Sequence, residues 1–380
     1  MPDTRITPLT SKWPTSLDLA GSNKPCRLEG EVADLVVLGK IPHQIDGTFF
    51  RVMTDPFMPP HPQNVPLDGD GNVSAFRIKD GKADFKMRYV RTDRFKLERA
   101  AGKALFGLYR NPFTHHPCVR AAIDTTANTN IVYWAGKLLA LKESGNPYVL
   151  DPVTLETLSC DPYASQITSR TFTAHPKVDP FTEELVTFGY EAKGLATLDI
   201  ATWTIDKHGK KVEELWIKGP FAGFIHDLSP PSTVTKRTHV TFLCSWVPRH
   251  SDPSLNIFSG LNGITYYDDR TNTSEIWFAG EDSLVQEPAF IPRFADASEG
   301  DGFIIALVER VKEYRNELVI LDTKNFQNPV AFVQLPFHVK AQVHGNWIDA
   351  ERLTELERRP IVAQEKADFV KGASALDMLA

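Results

Sequence analysis

The sequence lacks several things, and each absence narrows what the protein can be. Cysteine is scarce: four in 380 residues, at positions 26, 118, 160 and 244 with no CxxC pair, which excludes a disulfide framework or a zinc ribbon and reads as reduced cytosolic thiols. Positive charge is not in excess. Forty-two Lys and Arg against 48 Asp and Glu give a net charge of -6 and a pI near 6.0, so there is no broad basic field to hold nucleic acid or an anionic membrane. No apolar run is long enough to cross a bilayer, and the first 26 residues hold no signal-type apolar core. The expectation is a cytoplasmic protein without a transmembrane segment, acting on a small partner that is not a polyanion. No linker interrupts the chain, because 27 prolines and 23 glycines are spread throughout. Residues 1–380 read as one domain, and 42% hydrophobic content is ample for its core. There is also no HExxH, so a metal would depend on histidines far apart in sequence.

What is present is a succession of short segments rich in Val, Ile, Phe, Tyr and Thr between turn residues, the pattern of many short strands. Asn130 to Lys142 (NIVYWAGKLLALK) reads as two strands about an Ala-Gly turn, and Gly302–Val308 with Glu317–Asp322 as a second hairpin. A phrase recurs in which an apolar strand runs into Asp and then a polar turn: Tyr148–Asp151, Leu198–Asp199, Ile264–Asp268 and Leu318–Asp322. Recurrence at this scale predicts an all-β protein built as a radial array of small antiparallel sheets, with a β-sandwich as the competing arrangement. Helical pattern is sparse. It is confined to the tail from about residue 350, where Glu351–Arg358 is helix-compatible and Pro360 stops it.

Of eleven histidines, His43, His61 and His208 read as ordinary surface or core residues. His175, His226 and His344 sit instead at the ends of apolar strands, where a propeller aims side chains toward its axis. Imidazole serves iron, copper and zinc alike, so spacing alone does not choose a metal.

The phrases around these histidines carry a resemblance. Phe172–Pro180 (FTAHPKVDP) with Glu184–Tyr190 (ELVTFGY), then His226-Asp227, then His344–Trp347 (HGNW), resemble three of the iron-histidine motifs of the carotenoid cleavage oxygenases. Gly39–Arg51, the Asp68–Gly71 turn and Gln286–Arg293 are similar to phrases of that family in the same order. Leu105–Phe113 (LFGLYRNPF), Thr126–Asn130 and Leu139–Glu143 resemble its lignostilbene dioxygenase branch. The resemblance implies a seven-bladed-type β-propeller holding ferrous iron, Fe(2+), on histidines, with His175, His226 and His344 as ligands. It implies Glu143 and Glu287 as carboxylates that orient the ligands. Tyr109 and Lys142 would hold the phenolic hydroxyl of a small apolar substrate beside a largely apolar tunnel. The implied reaction uses O2 to cleave a carbon-carbon double bond of a stilbene-, phenylpropenoid- or carotenoid-like substrate into two carbonyl products. Outside the family, Tyr109 would read as a packed tyrosine, Lys142 as a solvated lysine and both glutamates as surface carboxylates.

The resemblance runs over roughly residues 25–350, leaving 351–380 as a tail, and it breaks once. After His226 the family continues to a further histidine followed by Asn-Ala and an acidic residue, and that passage is missing here. Thr241–Trp246 runs instead almost directly into Phe258–Gly263, which is similar to a much later part of the pattern. On the scale of about 40 residues per blade, two or more blades' worth of chain is absent. The expected propeller is therefore incomplete. His239 and His250 border the break as substitutes for the missing ligand. The alternative to an active oxygenase is a catalytically impaired remnant or a mis-spliced form, acting at most as a binding protein.

Overall fold

A computed structural model of the chain describes residues 13–14, 16, 19–122, 124–227, 239–245 and 261–362. It is an all-β structure of five antiparallel sheets, with one α-helix among the described residues, Asp93–Ala101. Among the described residues no helix is long and apolar enough to cross a membrane, and all four cysteines are free.

The first sheet orders its strands Gly30–Val32, Lys82–Tyr89, Gly71–Lys79, Gly47–Thr54 and Gln342–Asp349. The second is a meander of Asn130–Trp134, Lys137–Leu141, Tyr148–Leu150 and Thr157–Cys160. The third continues with Lys177–Val178, Leu185–Tyr190, Asp199–Ile205 and Lys211–Lys218, and the fourth with Val240–Ser245, Gly263–Asp268 and Thr273–Phe278. The fifth is built on Gly302–Arg310, Arg315–Asp322 and Pro329–Gln334, with Val36–Gly39 added at its edge. The first and fifth sheets thus each mix strands from the two ends of the chain.

Local chemistry explains the turns. Ala135 and Gly136 both have positive φ (48° and 72°), the condition for the two-residue turn that matches strand twist. Aspartates close the other hairpins by accepting backbone N–H groups through the side chain: Asp151 from Val153 and Thr154, Asp268 from Arg270, and Asp322 from Lys324. The expectation fails at Leu198–Asp199, because Asp199 opens a strand; Asp206, at the strand's other end, binds the His208 and Lys210 amides in its place. The tail also differs. Only a 3-10 turn, Ala350–Arg352, forms where a helix was expected, since Ile361 and Val362 are drawn into the core and Tyr133 donates to Glu357 at 2.9 Å. The helix Asp93–Ala101, not anticipated, is capped by the Thr92 hydroxyl on the Phe95 amide and ended by Gly102 at φ 66°.

Four apolar clusters glue the sheets face to face. Phe49, Phe76 and Phe85 of the first sheet pack on Phe303, Ile305 and Leu318 of the fifth. Phe50, Val52 and Val73 pack on Ile131 and Leu138 of the second, and Leu139 and Leu141 on Leu185, Ala201 and Trp203 of the third. Ile264 and Trp277 of the fourth pack on Ile304 and Ala306 of the fifth. The packing order is therefore third, second, first, fifth, fourth. Among the described residues no cluster joins the third sheet to the fourth. Where the central strands Gly47–Thr54 and Gly302–Arg310 are buried on both faces, these two sheets each keep an open face. Leu215 and Ile217 are 55% and 47% exposed on one, and Leu243 and Ile276 52% and 47% on the other.

Candidate metal centre

The three histidines arrive from separate elements. His175 precedes the short strand Lys177–Val178, with its backbone N–H on the Thr173 hydroxyl at 2.9 Å and the preceding Ala174 carbonyl held by Asn130 at 2.8 Å. His226 follows the third sheet. His344 sits at an irregularity of the strand Gln342–Asp349, where the pairing jumps from Gln342↔Met53 to Gly345↔Arg51 and so re-aims the side chain. Gly345 makes this possible, since a Cβ there would lie 2.4 Å from the Phe50 carbonyl and 2.6 Å from Arg51 Cγ. Gly345→Ala is therefore expected to lower stability by about 1–3 kcal/mol through overpacking, read as a drop in denaturant midpoint; an unchanged midpoint would remove the steric argument.

The ligand nitrogens of His175, His226 and His344 all lie within 4.8 Å of one another, and Nε2 of His175 is 3.0 Å from Nε2 of His226. Glu143 Oε1 holds His226 Nδ1 at 2.5 Å, and Glu287 holds His344 Nδ1 at 3.0 and 3.2 Å. With both Nδ1 atoms committed to carboxylates, each ring turns Nε2 toward the common centre. Burial, then the neighbouring His344 and His226, press His175 down to about 4, so it is neutral at physiological pH. Burial opposes ionisation of Glu287, but His344 and Arg51 outweigh it and hold the carboxyl below its usual range. Three imidazoles backed by two carboxylates fit a divalent transition metal.

Arg51, which no local sequence signal marks as part of the site, braces this centre. Fully buried, its guanidinium donates to the Glu287 carbonyl at 2.6 Å and the Val343 carbonyl at 3.1 Å, tying together the segments that carry Glu287 and His344. No further ligand joins the three among the described residues. His239 belongs to another network, its Nδ1 on Asp269 at 2.7 Å and its N–H on Glu299. His250, Trp246 and 258–260 lie outside the described residues.

Beside the centre is a cavity of about 700 Å³ whose walls include Tyr109, Arg110, Lys142, Glu143, Tyr190 and Glu191. Glu143 belongs to both cavity and metal centre. Lys142 is buried, donates to the Leu67 carbonyl at 3.2 Å, and places Nζ 5.0 Å from the Tyr109 ring centroid. Burial lowers its ammonium to about 8 despite the nearby Asp68 and Glu143 carboxylates. Burial and Glu143 push the Tyr109 hydroxyl up to about 12, which keeps it a donor. The connection from the first sheet to the second, together with loops of the second and third sheets, supplies these walls, and they include ion pairs: Arg110 with Glu191 at 2.5 Å, and His115 with Asp124 at 3.1 Å.

A family model described as Retinal pigment epithelial membrane protein matches residues 23–230 and 228–349. The chain belongs to the carotenoid oxygenase family. Among the relatives of this carotenoid oxygenase, resveratrol cleavage oxygenase 1 of Botryotinia fuckeliana is 44% identical, over 98% of this chain and 92% of that one, in an alignment of 516 positions against a chain of 380. Isoeugenol monooxygenase of Pseudomonas putida is 33% identical over 87% of this chain and 97% of its own. The crystal structure of Pseudomonas brassicacearum lignostilbene dioxygenase superposes with a TM-score of 0.83 at 28% identity, covering 89% of this chain and 99% of that one. The protein is thus an enzyme of the double-bond-cleaving oxygenase type.

Proposed function

We propose that the chain is an iron(II)-dependent dioxygenase that cleaves the C=C bond of a phenolic stilbene or related phenylpropenoid, with His175, His226 and His344 as its metal ligands. The observation that carries this is the shared wall: Glu143 orients His226 and also lines the cavity that holds Tyr109 and Lys142. Ferrous iron bound there supplies the dioxygen chemistry that no side chain provides. The protein's own part is to prepare the substrate. The Tyr109 hydroxyl donates to the phenolic oxygen, whose proton passes to the neutral Lys142 amine; the resulting ammonium holds the phenolate, which pushes electron density into the conjugated double bond. Charged walls favour such a substrate over a long apolar polyene, which would leave Arg110 and Glu191 against hydrocarbon.

The open faces of the third and fourth sheets support a second inference, that the propeller lacks whole blades between them. The family match divides at 228–230, ahead of the Trp246-to-Phe258 junction expected from the sequence, and the alignment with the Botryotinia relative is far longer than this chain, both in keeping with chain missing after Asp227. On this reading the centre keeps three imidazoles and admits water. That favours a catalytically impaired remnant or mis-spliced form as the alternative.

The discriminating experiment is iron content and oxygen-dependent cleavage of a 4-hydroxystilbene by the purified chain, with His175→Ala as control. Near-stoichiometric iron and a product lost in the variant are expected of the oxygenase. Neither iron nor product leaves the impaired form as the reading.

A further inference from the structure

We propose that Tyr190 is a positioning residue for the metal centre, its hydroxyl fixing the Glu143 carboxylate that in turn orients His226. The inference rests on the metal-centre reading above. Tyr190 is buried at the end of the strand Leu185–Tyr190, its backbone carbonyl held by the Thr171 hydroxyl at 2.6 Å and its ring 5.8 Å from that of Phe224. The hydroxyl donates to Glu143 Oε2 at 2.8 Å, while Glu143 Oε1 holds His226 Nδ1 at 2.5 Å. Arg110 Nη1 donates to the same hydroxyl at 3.4 Å, so the phenol oxygen accepts from one side and its single proton goes to the carboxylate.

A carboxylate tethered through one oxygen can still swing about its last torsion; tethered through both, it cannot. That matters here because the His226 side chain is 61% exposed, so packing holds the ring little and its hydrogen bond to the Glu143 carboxylate must. The chain Arg110, Tyr190, Glu143, His226 therefore runs from the cavity wall to a metal ligand. Outer-shell partners of this sort change metal affinity by about 10–100-fold.

The test is a cobalt(II) titration, followed by visible absorption, of the metal-free full chain and its Tyr190→Phe, Glu143→Gln and double variants. Tyr190→Phe keeps the ring and its packing. We expect cobalt to bind it about tenfold more weakly than wild type, and the same substitution to have little further effect in the Glu143→Gln background, because its action passes through that carboxylate. Equal weakening in both backgrounds, or none in the first, overturns the role of Tyr190 alone. No cobalt uptake by the wild type overturns the metal-centre reading itself and this inference with it.

Discussion

Lys142→Met is expected to lower kcat/KM for a 4-hydroxystilbene by about 10²–10³-fold, the scale of losing one preorganised electrostatic partner of a developing charge, and to change the shape of the pH profile. The reactive pair, ammonium and phenolate, carries one proton fewer than the ammonium and phenol that meet below pH 8. With Lys142 titrating at about 8 in the free enzyme, kcat/KM should rise with pH up to about 8. It should then stay level until the free substrate ionises near a phenol's pKa of about 10, and fall beyond it. In the methionine variant the rise should move to the substrate's own ionisation, because phenolate must then be drawn from solution. A 4-methoxystilbene, with no proton to lose, should show no rise with either enzyme. An unchanged profile in the variant would remove Lys142 from substrate activation.

The same substitution should stabilise the fold. The ammonium is fully buried, and its pKa falls from 10.5 to about 8 on folding. The folded state is therefore penalised wherever the lysine is charged in both states, below pH 8, and wild-type stability recovers as pH rises from about 8 to 10.5. At 1.36 kcal/mol per pH unit the gain on removing the charge is up to about 3 kcal/mol at neutral pH, shrinking across that window. A variant that is more stable and far less active would mark Lys142 as kept for chemistry rather than for structure.

The second large effect concerns the open faces. Inserting the corresponding segment of the Botryotinia relative after Asp227 should tighten cobalt(II) binding by at least about 100-fold, since losing even an outer-shell partner costs 10–100-fold and a whole ligand costs more. It should also cover Leu215, Ile217, Leu243 and Ile276 and so suppress the self-association that exposed apolar strands promote. The readouts are metal titration and elution volume across a concentration series. If the insertion changes neither, the third and fourth sheets are not the walls of a missing sector.

What could be read in the sequence was chiefly what is local. The Ala135-Gly136 hairpin and the aspartate turns depend on a few adjacent residues, and the histidine phrases each lie within one segment. Arg51 could not be read, because its acceptors near residues 287 and 343 become neighbours only when the first and fifth sheets meet. Tyr190 closes the Glu184–Tyr190 segment, yet its partner Glu143 belongs to another sheet's loop. The helix at Asp93–Ala101 was passed over although Thr92 and Gly102 carry ordinary cap signals. The ion pairs in the cavity wall were illegible for another reason: they are made by loop residues, and loops in a sequence look solvated wherever they end up.

The pairing of Gln342–Asp349 with Gly47–Thr54 sets a timetable for folding. Gly47 meets Asp349 across that ladder, so the first sheet cannot be completed until some 300 further residues have been synthesised, roughly 15–60 s at 5–20 residues per second. Throughout that interval the edge of Gly47–Thr54 waits unpaired. The strand that finally covers it also carries His344, so the last histidine of the cluster arrives only as the two chain ends interlock, and a nascent chain cannot assemble the three-histidine cluster before it has assembled its first sheet.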